Sequence, residues 1–226
     1  TIEGTSYRIR GSCGTIFPDK SITISSVGCT AETVAYGDTT GRLVMVSRGF
    51  NGKKEPHELD FNAYFVDISC TAFFPSGKAL LTGLVDMQLK LWLMDGVSRR
   101  VFKGHTGAIN QVQLLGKTGR NFLGASEDGS VRLWETGSGQ QLHEFRRLLD
   151  GSDAATCITT VKTDVEADMD GDVELDGREL DFETRGVFVY VGHHSGHIRQ
   201  YDIYRRRQTG FQAKSDSGIT AMCYYD

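Results

Sequence analysis

The chain has 226 residues, a formal net charge of −4 and a pI near 5.9, which argues against nucleic acid as a partner. Its apolar runs, such as 187–191, are far too short to cross a bilayer, so we expect no membrane association. The five cysteines are scattered and never spaced C-x-x-C, which favours a reducing compartment.

Glycine is abundant and proline is scarce, with 27 and 3 copies. Apolar residues do not recur at helical spacing over any long segment, and short alternating runs bounded by turns recur instead. This pattern predicts an all-β protein. The first such runs are Thr33–Tyr36 and Arg42–Val46, which a turn at 39–41 separates.

The second group of predicted strands runs from about Asp67 to Phe102, and its first turn lies at 73–77. The third group, 105–147, is the clearest. Its tight turn is Glu127-Asp128-Gly129, because glycine tolerates the backbone conformation that such a turn requires. The predicted strands of the third group are Ile109–Leu115, Asn121–Ser126, Ser130–Glu135 and Gln141–Arg146.

The second and third groups repeat each other. Residues 82–92 read TGLVDMQLKLW and residues 124–134 read GASEDGSVRLW. The copies lie about 42 residues apart, and a period of roughly 40–45 residues is typical of a four-stranded propeller blade. We therefore predict a WD40-type β-propeller, incomplete in this chain, with about four blades and the start of another. The repeated aspartate and tryptophan pairs are Asp86 with Trp92 and Asp128 with Trp134.

A further blade is predicted after the third group, and residues 215–226 would begin one more. Tyr201 stands where Trp134 stands in the clear copy. We interpret residues 1–226 as part of one propeller and, because the chain stops inside an apolar run, as a piece of a longer protein. The predicted strands of the further blade are Ala155–Lys162, Val187–Gly192 and His197–Ile203.

Residues 163–184 form an insertion with ten carboxylates and one arginine. Like charge at this density does not pack, so we expect a mobile loop between the first and second strands of the further blade. The stretch 166–172 approaches the opening of a calcium loop. Gly177 stands where a bidentate glutamate is needed, however, and no helices flank the loop, so an EF-hand is disfavoured.

His105, Ser126, Asp128 and Trp134 are predicted to form one structural hydrogen-bonded set. In WD repeats the turn aspartate accepts from a histidine in a preceding Gly-His pair, here 104–105, and a serine or threonine relays the network to the tryptophan. By this resemblance, Asp128 would accept from His105, and Ser126 would relay the network to the indole N–H of Trp134. A buried imidazole and a buried indole both need such partners.

The same residue types suggest a Ser-His-Asp hydrolase, but no nucleophile elbow accompanies the serine. The preceding blade keeps Asp86 and Trp92 and has Tyr64 in place of His105, which favours a structural role. The segment 116–118 resembles the end of a P-loop without its first glycine. We therefore predict no catalytic residue and no cofactor.

His193, His194 and His197 are the best candidates for a metal site. Adjacent histidines on a strand point to opposite faces, so at most two would converge. The residues between them, 195–196, align with the turn at Asp128. We interpret the cluster as a blade turn and predict no bound metal.

Three segments resemble the WD-repeat assembly chaperones of the proteasome regulatory particle, the proteasomal ATPase-associated factor family. They are FFPSGKAL at 73–80, DMQLKLW at 86–92 and SEDGSVRLWETGSG at 126–139, and the stretch 191–198 is similar as well. The DMQLK segment and the W-E-x-G-S-G turn are the more particular parts. The acidic insertion and Tyr64 depart from the pattern.

This resemblance implies a non-enzymatic protein that binds the helical C-terminal domain of a proteasome base ATPase subunit. It would assist assembly of the 19S regulatory particle, in the cytoplasm and nucleus, and would be monomeric. The alternative is a substrate receptor of a ubiquitin ligase or a general signalling scaffold on the same fold.

In a propeller of this kind, the loops that lead into each first strand share one face with the turns between second and third strands. Acidic residues predominate at the predicted positions, with few lysines or arginines among them. A basic helical surface is therefore the expected partner. The predicted partner-binding residues are Asp60, Asp67, Glu127, Asp150 and Asp153.

Overall fold

The computed structural model describes residues 23–30, 33–47, 57–62, 66–146, 153–163 and 183–224, with the backbone alone at 46–47 and 57–62. Within these ranges the chain forms sixteen β-strands in four sheets, each of four antiparallel strands in chain order. None of the described segments is a helix long and apolar enough to traverse a bilayer.

The first sheet contains β1 (Ile24–Cys29), β2 (Thr33–Asp38), β3 (Arg42–Ser47) and β4 (His57–Asn62). The second contains β5 (Ile68–Phe73), β6 (Ala79–Leu84), β7 (Leu89–Leu93) and β8 (Ser98–Phe102). The third contains β9 (Ile109–Leu114), β10 (Asn121–Ser126), β11 (Val131–Glu135) and β12 (Gln141–Phe145). The fourth contains β13 (Ala155–Lys162), β14 (Val187–His193), β15 (His197–Asp202) and β16 (Arg207–Lys214).

The predicted propeller blades are confirmed, and most predicted strand ends lie within one or two residues of the observed ones. Trp92 and Trp134 each take the fourth position of a third strand, where they pair with Leu80 and Phe122. The two sequence repeats are therefore equivalent in space. The first strand β1 was not predicted, and neither were the outer strands β4 and β16, whose sequences, HELDFN and RQTGFQAK, are largely polar.

The core lies between adjacent sheets and is filled from their inward faces. Trp134 is stacked on Phe122 with ring centroids 5.3 Å apart, and Phe102 meets Phe122 edge to face at 4.8 Å. Cys70 and Cys157 are free thiols in this core, where they pack as small hydrophobes. Burial raises the pKa of Cys70 to about 12.

Adjacent blades approach closely at glycines in the second strands. A Cβ added at Gly37 would lie 2.7 Å from Ile68 Cβ, and one added at Gly83 would lie 2.6 Å from Ile109 Cγ2. Both isoleucines belong to the first strand of the following blade. These glycines therefore set how closely successive blades pack.

Polar side chains in the first strands add hydrogen bonds between blades. Ser25 Oγ–H donates to the carbonyl of Ile68, and Asn110 Nδ2–H donates to the carbonyl of Ala155 at 3.0 Å. Both donors sit at a bulge in their strand, which frees the side chain to reach the next blade.

Residues 215–224, which the sequence predicts to begin a further blade, contain no strand. A strand needs a paired neighbour, and the described part of the chain supplies none there. Ile219 nevertheless lies where the first strand of a following blade would pack. A Cβ added at Gly192 would be 2.6 Å from Ile219 Cγ2, and Thr156 Oγ1–H donates to the Ile219 carbonyl. Residues 225 and 226 lie outside the described residues.

One end of each blade carries the connection into its first strand and the turn between its second and third strands. We name this end the turn face; its four turns are 38–42, 84–88, 126–130 and 193–197. Backbone hydrogen bonds join each turn to the adjacent connection. Val85 N–H donates to the Asp67 carbonyl at 3.1 Å, and Glu127 N–H donates to the Ala108 carbonyl at 2.9 Å.

Candidate functional site

The turn face of the third blade holds a buried network around Asp128. Asp128 Oδ2 accepts from His105 Nδ1–H and from the Thr106 N–H, both at 2.9 Å, and Oδ1 accepts from Ser130 Oγ–H at 2.5 Å. The other ring nitrogen of His105, Nε2, lies 3.1 Å from the Gly124 carbonyl oxygen. Burial alone would raise the pKa of Asp128, but the bonds from His105, Ser130 and Thr106 outweigh it and hold that pKa well below its usual range.

The serine that bridges this network is Ser130, which corrects the prediction of Ser126. Ser130 Oγ lies 3.3 Å from His105 Nδ1 and contacts Asp128. Ser126 Oγ–H donates instead to the Gly107 carbonyl at 2.9 Å, and Ser126 Oγ accepts from the Asp128 N–H at 3.2 Å. The two serines flank the same turn, so spacing in the sequence does not distinguish them.

Trp134 belongs to the packing below this network. It is fully buried, and its ring meets the His105 ring edge to face with centroids 5.2 Å apart. His105 is thus held by the Asp128 carboxylate on one side and by the Trp134 ring on the other. Such an arrangement is typical of a structural residue.

The second blade uses a different partner for its tryptophan. Trp92 Nε1–H donates to Thr82 Oγ1 at 3.0 Å. Asp86 instead stabilises its own turn, since its Oδ1 accepts from the Gln88 N–H at 3.3 Å. Tyr64, predicted at the position of His105, lies outside the described residues.

Asp153 carries a comparable network in the fourth blade. Its Oδ1 accepts from the Ser195 N–H at 3.0 Å, its Oδ2 accepts from Ser195 Oγ–H at 2.6 Å, and Arg199 Nη1 lies 3.6 Å away. Burial would raise the pKa of Asp153, but the bonds from Ser195 outweigh it and lower that pKa below its usual range. The carboxylate is therefore hydrogen-bonded within its own blade, and its role as a partner-binding anion stays a prediction.

Neither network has the geometry of a hydrolase triad, in which a carboxylate holds the histidine and the opposite ring nitrogen meets the serine. In the third blade that opposite nitrogen of His105 faces the Gly124 carbonyl. In the fourth blade Ser195 lies between Asp153 and His197, at 2.7 Å from His197 Nδ1, so the carboxylate contacts the serine.

The histidines of the fourth blade form a turn. His193 is buried, and its Nδ1–H donates to the Asp153 carbonyl at 3.0 Å, while His194 is exposed. Burial lowers the pKa of His193 below its usual value. Across the ranges that the structure describes, no three His, Cys, Asp or Glu side chains are grouped to hold a metal ion.

The other predicted partner-binding residues fall in three places. Asp67 and Glu127 are exposed on the turn face of adjacent blades, Asp67 before β5 and Glu127 in the β10–β11 turn. Asp60 lies within β4, opposite Val44, and so belongs to an outer strand; this corrects its prediction as a loop residue. Asp150 lies outside the described residues.

The acidic insertion joins β13 to β14, and the expected mobility stays a prediction because 164–182 lie outside the described residues. Its last two residues are held: Glu183 Oε2 accepts from Thr118 Oγ1–H at 2.8 Å, Oε1 accepts from the Lys117 N–H at 3.2 Å, and Thr184 is buried. The Thr118 bonds lower the pKa of Glu183 below its usual range. Glu183 and Thr184 therefore contact the rest of the chain at the end of the predicted loop. The turn that resembles a P-loop binds this carboxylate of the same chain.

Residues 58–92 and 96–135 match the family described as WD domain, G-beta repeat. The first matched segment begins in the outer strand β4 and the second begins in the turn just before the outer strand β8. Each ends in the third strand of the next blade, so each repeat links two blades. The chain thus carries WD40 repeats within antiparallel four-stranded sheets, as the sequence predicts.

The chain is 34% identical to the Saccharomyces cerevisiae protein named 26S proteasome regulatory subunit RPN14, over 76% of this chain and 40% of that protein. It is 33% identical to human Pre-mRNA-processing factor 17, over 41% of this chain and 16% of that protein. It is 28% identical to a guanine nucleotide-binding protein subunit beta of Oryza sativa subsp. indica, over 60% of this chain and 34% of that protein. The chain spans two fifths or less of the length of each of these relatives.

Proposed function

We propose that this chain belongs to a non-catalytic scaffold of proteasome assembly, and that its turn face binds the helical C-terminal domain of a base ATPase subunit. The observation that carries the proposal is its 34% identity to a yeast protein named as a proteasome regulatory subunit. In this role the protein acts in the cytoplasm and nucleus and as a monomer.

The chemistry of the turn face supports a binding role over a catalytic one. The carboxylates of Asp128 and Asp153 are tied to donors of their own blades, and His105 is buried. Asp67 and Glu127 remain exposed on adjacent blades. Exposed carboxylates of this kind attract a basic partner and speed its encounter.

The test is direct binding between the purified chain and the isolated C-terminal domain of each base ATPase subunit, by titration calorimetry. We expect one domain to bind in preference to the others. In parallel, the chain is used to recover partners from a cell lysate, which are identified by mass spectrometry. Recovery of ligase adaptors with no ATPase domain bound would favour the ubiquitin-ligase receptor instead.

A further inference from the structure

The turn between the second and third strands of the second blade has a backbone feature that the equivalent turns of the other three described blades avoid. Met87 has φ of 70°, the left-handed region in which a side chain is unfavourable. The three equivalent turns place glycine there, with φ of 81° at Gly41, 79° at Gly129 and 86° at Gly196. A methionine at this position costs folding free energy that glycine would not.

Met87 lies at the surface of the turn face. Its side chain is 45% exposed, and Val85, two residues before it, is 46% exposed. The turn therefore presents two apolar side chains to solvent on either side of Asp86. Strain that is retained at an exposed position points to a role outside the fold.

The surroundings of the two apolar side chains are acidic. Val85 N–H is bonded to the carbonyl of Asp67, so the exposed Asp67 lies beside the turn. Glu127 projects from the corresponding turn of the next blade. Lys103, in the connection to β9, is an exposed cation on the same face.

We propose that Val85 and Met87 are the apolar anchor of the partner surface, and that they insert between helices of a partner whose cleft is rimmed by lysine or arginine. This inference rests on the proposed function and names the residues that carry its affinity. Apolar side chains at the centre of an interface dominate binding, while the charged rim steers encounter. The patch of Asp67, Val85, Asp86, Met87 and Glu127 has this composition.

The substitution Met87→Gly separates binding from folding. Glycine relieves the positive φ, so we expect the melting temperature to stay the same or rise. Loss of the anchor should weaken binding of the ATPase C-terminal domain by about tenfold. Val85→Ala should weaken binding in the same direction.

Val97→Ala is the matched control, because Val97 is also 46% exposed but lies in the β7–β8 turn at the opposite end of the same blade. It should leave binding unchanged. If the unaltered chain binds an ATPase domain and both Met87→Gly and Val85→Ala bind equally well, the anchor is wrong while the proposed function stands.

If the unaltered chain binds none of the ATPase domains, the proposed function fails and the anchor inference fails with it. The oligomeric state of the unaltered chain and of Met87→Gly is measured by analytical ultracentrifugation. Self-association that disappears in Met87→Gly would make the occupant a second copy of this chain and would overturn the inference.

Discussion

At the scale of single residues, the Asp128 carboxylate links the connection that leads into β9 to the turn between β10 and β11. It accepts from His105, Thr106 and Ser130, all at the turn face of the third blade. Asp128→Ala would leave these donors without that acceptor, at about 1–3 kcal/mol for each buried unsatisfied group. We expect a matching loss in the free energy of unfolding by urea denaturation.

Asp67→Ala is the control for this loss, because Asp67 is an exposed carboxylate on the same face and its removal should change stability by about 0.5 kcal/mol or less. Binding of the Asp128→Ala protein should fall only as far as folding does. A fully stable Asp128→Ala protein that no longer binds would instead make Asp128 part of the interface.

The same carboxylate makes stability depend on pH. The pKa of Asp128 is lower in the folded chain than the roughly 3.9 of an unfolded aspartate. Its contribution is therefore present above that unfolded pKa and is lost as pH falls through the lower folded pKa. We expect the unfolding free energy to drop steadily below about pH 5, and less steeply in Asp128→Asn. Equal slopes in the two proteins, measured by urea unfolding at several pH values, would contradict this assignment.

The sequence predicts the contacts of single residues where a known motif is present. It does not predict contacts between residues that are far apart in the sequence and share no motif. The His105–Asp128 pair was predicted from the Gly-His pair and turn aspartate that are typical of WD repeats, and the structure brings the two residues within 2.9 Å. The Asp153–Ser195 contact joins residues 42 positions apart, and no motif announces it. From the sequence alone, an acidic residue in a loop is therefore interpreted as a surface anion, because its hydrogen-bond partner elsewhere in the chain is not known.

At the scale of elements, glycines in the second strands control the distance between blades. A Cβ at Gly83 would lie 2.5 Å from Cys70 Sγ and 2.6 Å from Ile109 Cγ2. Gly83→Ala should therefore force the two blades apart and cost about 1–3 kcal/mol of unfolding free energy.

Gly210→Ala is the matched control, since Gly210 also lies in a strand and a Cβ there would meet nothing within 4 Å. It should be neutral or slightly stabilising. Thermal unfolding of both variants checks the pair. A Gly83→Ala protein as stable as Gly210→Ala would show that the blades adjust without cost.

The β13–β14 hairpin is closed independently of most of the acidic insertion. Thr163 N–H donates to the Gly186 carbonyl at 3.0 Å, and Val187 N–H donates to the Thr184 carbonyl at 3.1 Å. Replacing 164–182 with a short glycine-serine linker should change the unfolding free energy by about 1 kcal/mol or less. Binding to the ATPase domain should persist, and its loss in a folded variant would place the partner site in the insertion.

The repeat period was sufficient to predict the second and third blades, because two tryptophans mark the same strand position in each. Outer strands are harder to predict, since one edge faces solvent and their sequences lack a strong apolar alternation. The further blade expected at 215–226 shows the same dependence on partners: Ile219 packs against the fourth blade, but residues 215–224 form no strand.

At the scale of the whole molecule, the turn face combines two kinds of acidic residue. Some are exposed, and others are hydrogen-bonded to donors of their own blades. Asp128 and Asp153 stabilise the blades, while Asp67 and Glu127 are free to act at longer range. A basic partner would be drawn to the face by these outer charges and held by contacts nearer its centre. The two effects differ in their response to salt, because screening weakens long-range attraction more than close contact.

Reversing both outer charges tests this division. Asp67→Lys with Glu127→Lys should slow association with the ATPase domain by about tenfold at ~50 mM salt, and the difference should shrink at ~500 mM salt. Asp95→Lys is the control, because Asp95 is exposed in the turn at the other end of the second blade and changes net charge in the same sense. Association rates from stopped-flow measurements at both salt concentrations distinguish local steering from net charge. Unchanged rates in the folded double variant would move the interface away from the turn face.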